Sequence, residues 1–176
     1  MAKTTIDYRE HFQAVMNVLT DRGLLLASRD VTGRLNPMTI GWGMLGSVWG
    51  IPMWQVLVRP SRYTYQCIEH TGDFTVNVPP RSLDGACALC GSHSGRDKDK
   101  MAECGLTVAP PGEITSRGIA DCAIVYDCRV VHYNDVQPPA LAERIAASAY
   151  ASGDYHRIFW GQILAVRADA KLLAEL

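Results

Sequence analysis

Two segments near the end of the chain, Ala123–Tyr133 (AIVYDCRVVHY) and Ile158–Arg167 (IFWGQILAVR), concentrate β-branched and aromatic residues in long runs. Residues of that kind fit a pleated, buried surface, so both segments are expected to be long strands. Shorter runs repeat the signal upstream. Leu24–Ser28 and Met38–Leu45 flank a glycine turn in Val31–Arg34 and read as a β-hairpin. Met53–Val58 (MWQVLV) reads as a buried strand stopped by Pro60, and Phe74–Val78 as another closed by two prolines. Helical spacing is confined to a few places. Tyr8, Phe12, Val15, Met16 and Leu19 recur at three and four residues and stop at Gly23. Ser61 can cap a helix running to about His70, Ser82–Leu89 and Lys98–Cys104 suit short helical turns, and Leu141–Tyr150 is alanine-rich. Roughly six short strands with scattered helices predict a closed or partly closed antiparallel barrel. A doubly wound sheet fits less well, because the βα alternation is irregular.

With 176 residues the chain is of a size that buries most of its surface around one core. Hydrophobic residues make up 48% and charged residues 20%, which is a globular composition with no tail or linker of its own. Seventeen basic and eighteen acidic residues leave a net charge of −1, so nothing is present to track a nucleic-acid backbone. The start, MAKTTIDYREHF, lacks the apolar core of a secretory leader, and no stretch reaches the length of a membrane span. These readings predict a cytoplasmic protein without nucleic-acid or membrane partners. The six cysteines are expected as free, mostly buried thiols.

Three motifs can carry chemistry. NPMTIGWG (Asn36–Gly43) sets an amide and a hydroxyl beside glycines that let a flat ligand approach the backbone, and it equally suits a tightly packed hairpin. VRPSRYTY (Val58–Tyr65) places Arg59, Ser61, Arg62 and Thr64 where a strand gives way to a helix. Free N–H groups and the positive end of the helix dipole make that junction an anion site in outline. CGSHSGRDKDK (Cys90–Lys100) can fold into a nest of backbone donors with basic side chains around a phosphate, or stay a solvated loop. Cys87-x-x-Cys90 with His93 and Cys104 offers a rival zinc set or a dithiol, but the spacing and surroundings suit neither motif well. No metal is therefore expected. His156 precedes the last strand at the rim of the expected barrel, where it can contact a ligand. No Ser-His-Asp order and no carboxylate pair stand out for hydrolytic chemistry.

Taken in order, NPMTIGWG, VRPSRYTY, FTVNVP and CGSHSGRDKDK resemble the flavin reductase-like family of FMN-binding split barrels, which includes the flavoredoxins. The resemblance runs from about Gly23 to Val166. It implies a mainly β fold with α, an antiparallel split β-barrel with flanking helices, as one domain over residues 1–176. It also implies a homodimer holding FMN in a groove between subunits. Asn36, Met38, Thr39 and Trp42 would lie near the ring or ribityl chain. Arg59, Ser61, Arg62 and Thr64 would hold the phosphate together with Ser94, Gly95 and Lys100. His156, in YHRIFWG, resembles the family's late histidine. The chain ends at Leu176, soon after that strand, and so resembles a branch shorter than the longer flavoredoxins. The function implied is an FMN-dependent oxidoreductase passing electrons from NADH, NADPH or another donor to an acceptor or redox partner. A non-catalytic FMN carrier or sensor would share the same binding residues.

Overall fold

The computed structural model describes residues 3–176. Eight strands form one antiparallel sheet: β1 (Thr4–Thr5), β2 (Leu24–Arg29), β3 (Leu35–Ile40), β4 (Gly43–Val48), β5 (Ile51–Val58), β6 (Asp73–Val78), β7 (Ile124–Asp135) and β8 (Arg157–Ala168). They lie in the order β3-β2-β6-β7-β8-β5-β4, with the short β1 added to β8. Helices α1 (Phe12–Asp21), α2 (Tyr63–Thr71), α3 (Asp84–Ser92), α4 (Lys100–Glu103) and α5 (Glu143–Ala149) flank it. The sheet curls into a split barrel, left open between its two end strands, β3 and β4.

The two long runs become β7 and β8, which pair along most of their length with register shifts at Asp127/Cys128 and Val130/His132. Such bulges bend a strand and tighten its twist, as a curling sheet requires. Pro37 has no N–H to donate, and it sits in β3, an end strand whose one neighbour is β2.

Strand faces explain the cores. In β2, Leu24 and Leu26 enter the barrel beside Trp54, Phe74, Tyr126 and Phe159. Leu25 and Ala27 point the other way, into a second cluster with Cys87, Cys90, Met101, Ile119 and Cys122. Every residue of β6 is buried, yet its outer face is polar. There Asp73 accepts from the N–H groups of Thr115 (2.8 Å) and Ser116 (3.0 Å), and Asn77 accepts from that of Ile119 (2.8 Å). These bonds strap the irregular chain after α4 onto the barrel, so the polar face needs no water.

Two local readings are corrected. Met38–Leu45 is not one strand: the chain breaks at Gly41 and Trp42, and its halves join opposite ends of the sheet. A further hairpin, β4–β5, escaped notice because its turn is Trp49-Gly50. Both residues have positive φ (56° and 75°), the hand that a two-residue hairpin demands. The helix after Pro60 starts with Arg62 as its cap and no side-chain cap bond, so Ser61 does not cap it.

Gly161 of β8 faces the core, where a Cβ would meet Phe74 Cζ at 2.4 Å and Cys128 Cβ at 2.9 Å. Gly161→Ala is expected to lower the unfolding free energy by about 1–3 kcal/mol, the range of an overpacked core. An unchanged midpoint in urea would show that the ring of Phe74 has room to retreat.

Candidate functional site

Where the chain passes from β3 to β4 it lines a cavity of about 200 Å³. Met38, Thr39, Ile40, Gly41 and Trp42 form one wall; Leu57, Arg59, Arg62 and His156 form the other. Trp42 is half exposed and its ring lies 5.2 Å from that of His156. His156 is buried, with Nδ1 2.8 Å from the hydroxyl of Tyr150. Burial and the nearby charges of Arg59 and Arg62 push its pKa down to about 4, so the imidazole is neutral at physiological pH.

A second cavity, of about 450 Å³, adjoins the first and shares Met38, Thr39 and Arg62 with it. Ser61–Thr64 border one side, and the segment from Cys90 through Asp97 with Lys100 borders the other. The N–H groups of Tyr63 and Thr64 open α2 with no helical acceptor one turn back. The facing loop is held from three directions. Arg34 donates to Gly95 O (2.6 Å), Arg96 donates to Ser61 O (3.0 Å) and covers the ring of Tyr63 at 5.3 Å, and Ser94 Oγ accepts from Arg96 N (3.2 Å). Arg34 is itself oriented by Asp30, which also receives the Tyr63 hydroxyl (3.2 Å). The loop is therefore built rather than merely solvated.

Lys100 is 4% exposed. Its Nζ donates to the carbonyls of Cys90 (3.4 Å) and His93 (3.3 Å), and burial lowers its pKa; the groups that favour its charge are thiols, not carboxylates. A buried ammonium with dipoles, thiols and the like charge of Arg62 around it favours an incoming anion. Asn36 donates to Thr64 Oγ1 (2.9 Å), whereas its Oδ1 is buried without a partner. A Cβ on Gly95 would lie 1.9 Å from that oxygen, so only glycine lets the loop close over Asn36.

A family description, the flavin reductase like domain, matches residues 16–176. The chain belongs to the flavin reductase-like family. The uncharacterized protein YddH of Escherichia coli (strain K12) is 26% identical over 154 residues, covering 86% of this chain and 72% of that protein. Among solved structures, the flavoredoxin of Desulfovibrio vulgaris (Miyazaki F) superposes with a TM-score of 0.69 at 23% identity, over 85% of this chain and 70% of the other. An FMN-binding domain of a flavin reductases-like enzyme from Shewanella baltica OS155 gives 0.67 at 18% identity, over 96% and 78%.

Of the twelve residues singled out by sequence in this flavin reductase-like chain, eleven line one or both cavities, though not equally free, whereas Asn36 lines neither and lies buried beneath Gly95. Arg62 borders both cavities, and Met38 and Thr39 join them; Thr39 Oγ1 is tied to Cys87 O at 2.6 Å. Arg59 is committed elsewhere: it donates to the carbonyls of Ala149 (2.7 Å), Gly153 (3.3 Å) and Asp154 (2.9 Å). Ser61 is bound to Asp154 through its N–H (3.3 Å) and its hydroxyl (2.6 Å). Cys87 and Cys90 are buried on α3, and burial pushes their thiols up to about 11 and about 12, so neither is poised as a thiolate. Among the described residues no group of three or more His, Cys, Asp or Glu could hold a metal ion, and no helix is long and apolar enough to cross a membrane. The sequence reading counted Arg96 among the basic side chains of the loop, where the structure has it brace Ser61 O and Tyr63. It passed over Arg34, which lies in a turn, and Tyr150, which sits in an alanine-rich run with no motif.

Lys100→Met is expected to stabilise the ligand-free protein by about 1–2 kcal/mol, because it removes the desolvation of a charge left without a carboxylate. The folded pKa of Lys100 lies below its unfolded value, so the unfolded chain holds the proton more firmly and stability from this group rises with alkaline pH. Denaturation curves at pH 7 and pH 10 check both statements; a variant less stable than wild type at pH 7 would contradict them.

Proposed function

We propose that this chain binds FMN non-covalently and works as a cytoplasmic FMN-dependent oxidoreductase. The observation that carries the reading is one groove with two unlike ends. The larger cavity offers the buried cation of Lys100, the start of α2 and the fork of Arg62, which match a phosphate. The smaller one offers Trp42, Met38, Ile40 and Leu57 beside a neutral His156, which match a flat ring. Membership of the flavin reductase-like family supports the same ligand. Arg62, Lys100, Ser94 and the Thr64 and Gly95 backbone would hold the phosphate side. Met38 and Thr39 would lie along the ribityl chain, with Trp42 and His156 at the ring, while Asn36 would act from beneath by holding Thr64 and seating Gly95. Arg59 and Ser61 would support the site by fixing the chain around Asp154.

Bound flavin supplies the hydride and electron chemistry. The residues of this chain bind and orient it, exclude water behind Trp42 and Leu57, and keep a cation off the ring face by holding His156 neutral. The donor proposed is NADH or NADPH, and the acceptor a small molecule or a redox partner. Purified protein should retain a flavin absorption band after added FMN is removed by desalting, and should oxidise NADH or NADPH when FMN is present. A protein that binds FMN without turnover would be a carrier or sensor, and one with no FMN affinity would end the proposal. Arg62→Ala is expected to weaken FMN binding by about 1.5–3 kcal/mol, the scale of a lost charge-assisted hydrogen bond; an unchanged Kd would remove Arg62 from the site.

The groove is proposed to be completed by a second copy. Met44, Gln55, Trp160 and His132 stand in register across β4, β5, β8 and β7 on the face of β5 that carries Leu57. Trp49 stacks on Trp160 (ring centroids 5.6 Å apart) and is 66% exposed, and Met44 is 63% exposed. An apolar face that continues out of the smaller cavity suits a subunit contact. Light scattering should return twice the chain mass, and Trp160→Glu should yield monomers with weakened FMN binding; a wild-type monomer with full affinity would contradict the arrangement.

A further inference from the structure

Tyr150 lies outside the lining of both cavities and is 6% exposed, so a contact with ligand does not explain it. Its hydroxyl is 2.8 Å from His156 Nδ1, and one of the two groups must donate. If Nδ1–H donated, the phenol proton would need another acceptor. Among the described residues His156 is the hydroxyl's one hydrogen-bond partner. A buried phenol proton with nowhere to go is costly, whereas an oxygen with an idle lone pair is cheap. The phenol therefore donates and Nδ1 accepts. In a neutral imidazole the proton then sits on Nε2, and the depressed pKa of His156 agrees with a ring that carries only one. Among the described residues Nδ1 is the ring nitrogen with a hydrogen-bond partner, Nε2 is not fully buried, and His156 lines the ring-side cavity.

The tyrosine is itself held. Its ring stacks on that of Tyr155 at 4.8 Å and 20°, and the guanidinium of Arg59 covers it at 5.2 Å. The same guanidinium donates to the carbonyls of Ala149, Gly153 and Asp154, which fixes the chain on both sides of Tyr150. Arg59 thus acts on the ring-side cavity by clamping this segment, rather than by meeting an anion.

We infer that Tyr150 is a positioning residue that locks His156 in its Nε2–H tautomer, so that the ring-side cavity presents a fixed N–H donor to an acceptor atom of a planar heteroaromatic ligand. That the ligand is a flavin rests on the function proposed above; the tautomer does not. Swapping the tautomer would turn the donor into an acceptor and set two lone pairs against each other. The ligand atom that meets this donor is then a carbonyl oxygen or a bare ring nitrogen, not an N–H.

The test is nitrogen-15 NMR of the histidine rings in the ligand-free protein at pH 7.5, with the His156 signals assigned by their loss in His156→Asn. Wild type should show a protonated Nε2 and a bare Nδ1 in one tautomer, and Tyr150→Phe should show a mixture. A wild-type ring protonated at Nδ1, or tautomer populations unchanged in Tyr150→Phe, would overturn the inference. FMN titration is the second arm. Tyr150→Phe should raise Kd in inverse proportion to the Nε2–H fraction that the NMR reads, about twofold for an even mixture, and should add nothing to the loss already caused by His156→Ala. Additive losses would mean that Tyr150 does not act through His156 and would overturn the positioning role. If the tautomer changes as expected but wild type binds no FMN, the flavin reading fails while the lock on His156 stands.

Discussion

The chain leaves one end of its sheet at Ile40 and enters the other end at Gly43. Three peptide steps reach about 11 Å at full extension. Seven strands laid flat would separate the same two ends by about 29 Å, at about 4.8 Å per neighbour. The sheet cannot be flat. It must curl until β3 and β4 stand close, and the bulges in β7 and the glycine at position 161 are among the means by which it does so. The gap between those strands is where the ring-side cavity opens, so the covalent shortness of Gly41-Trp42 sets the place of the site as well as the shape of the barrel.

Around that gap the protein separates two electrostatic environments within one groove. At one end a lysine is taken out of water with dipoles, thiols and the like charge of Arg62 as its company. At the other, burial and two arginines keep an imidazole uncharged. Arg62 borders both cavities and is the one charged side chain they share. Arg34, Arg96 and Arg59 do their work on backbone carbonyls, which turns three surface cations into structural braces for the loops that close the groove.

Much of the barrel was legible in the sequence, because β2, β5, β6, β7 and β8 each carry a dense apolar or β-branched run. The break at Gly41-Trp42 was not, since apolar residues continue on both sides of it and the pair carries no turn signature. The Trp49-Gly50 turn was hidden for the same reason. At the site, sequence order brought the right segments together but could not say which side chains were already engaged. The partners of Arg59 and Ser61 lie about 90 residues downstream, in a loop whose composition announces nothing. Tyr150 was invisible because its importance lies in a single atom facing a single ring nitrogen, a relation that no periodicity encodes.

The buried ammonium of Lys100 has a consequence for the life of the molecule in a cell. Any anion that binds the folded chain and not the unfolded one lowers the unfolded fraction in proportion to its concentration over Kd. A fold that carries an unneutralised interior charge begins with a larger unfolded fraction to be lowered. Proteases draw on that fraction. The abundance of the protein should then follow the supply of any such anion, with copies made in excess of that supply being the first to be degraded.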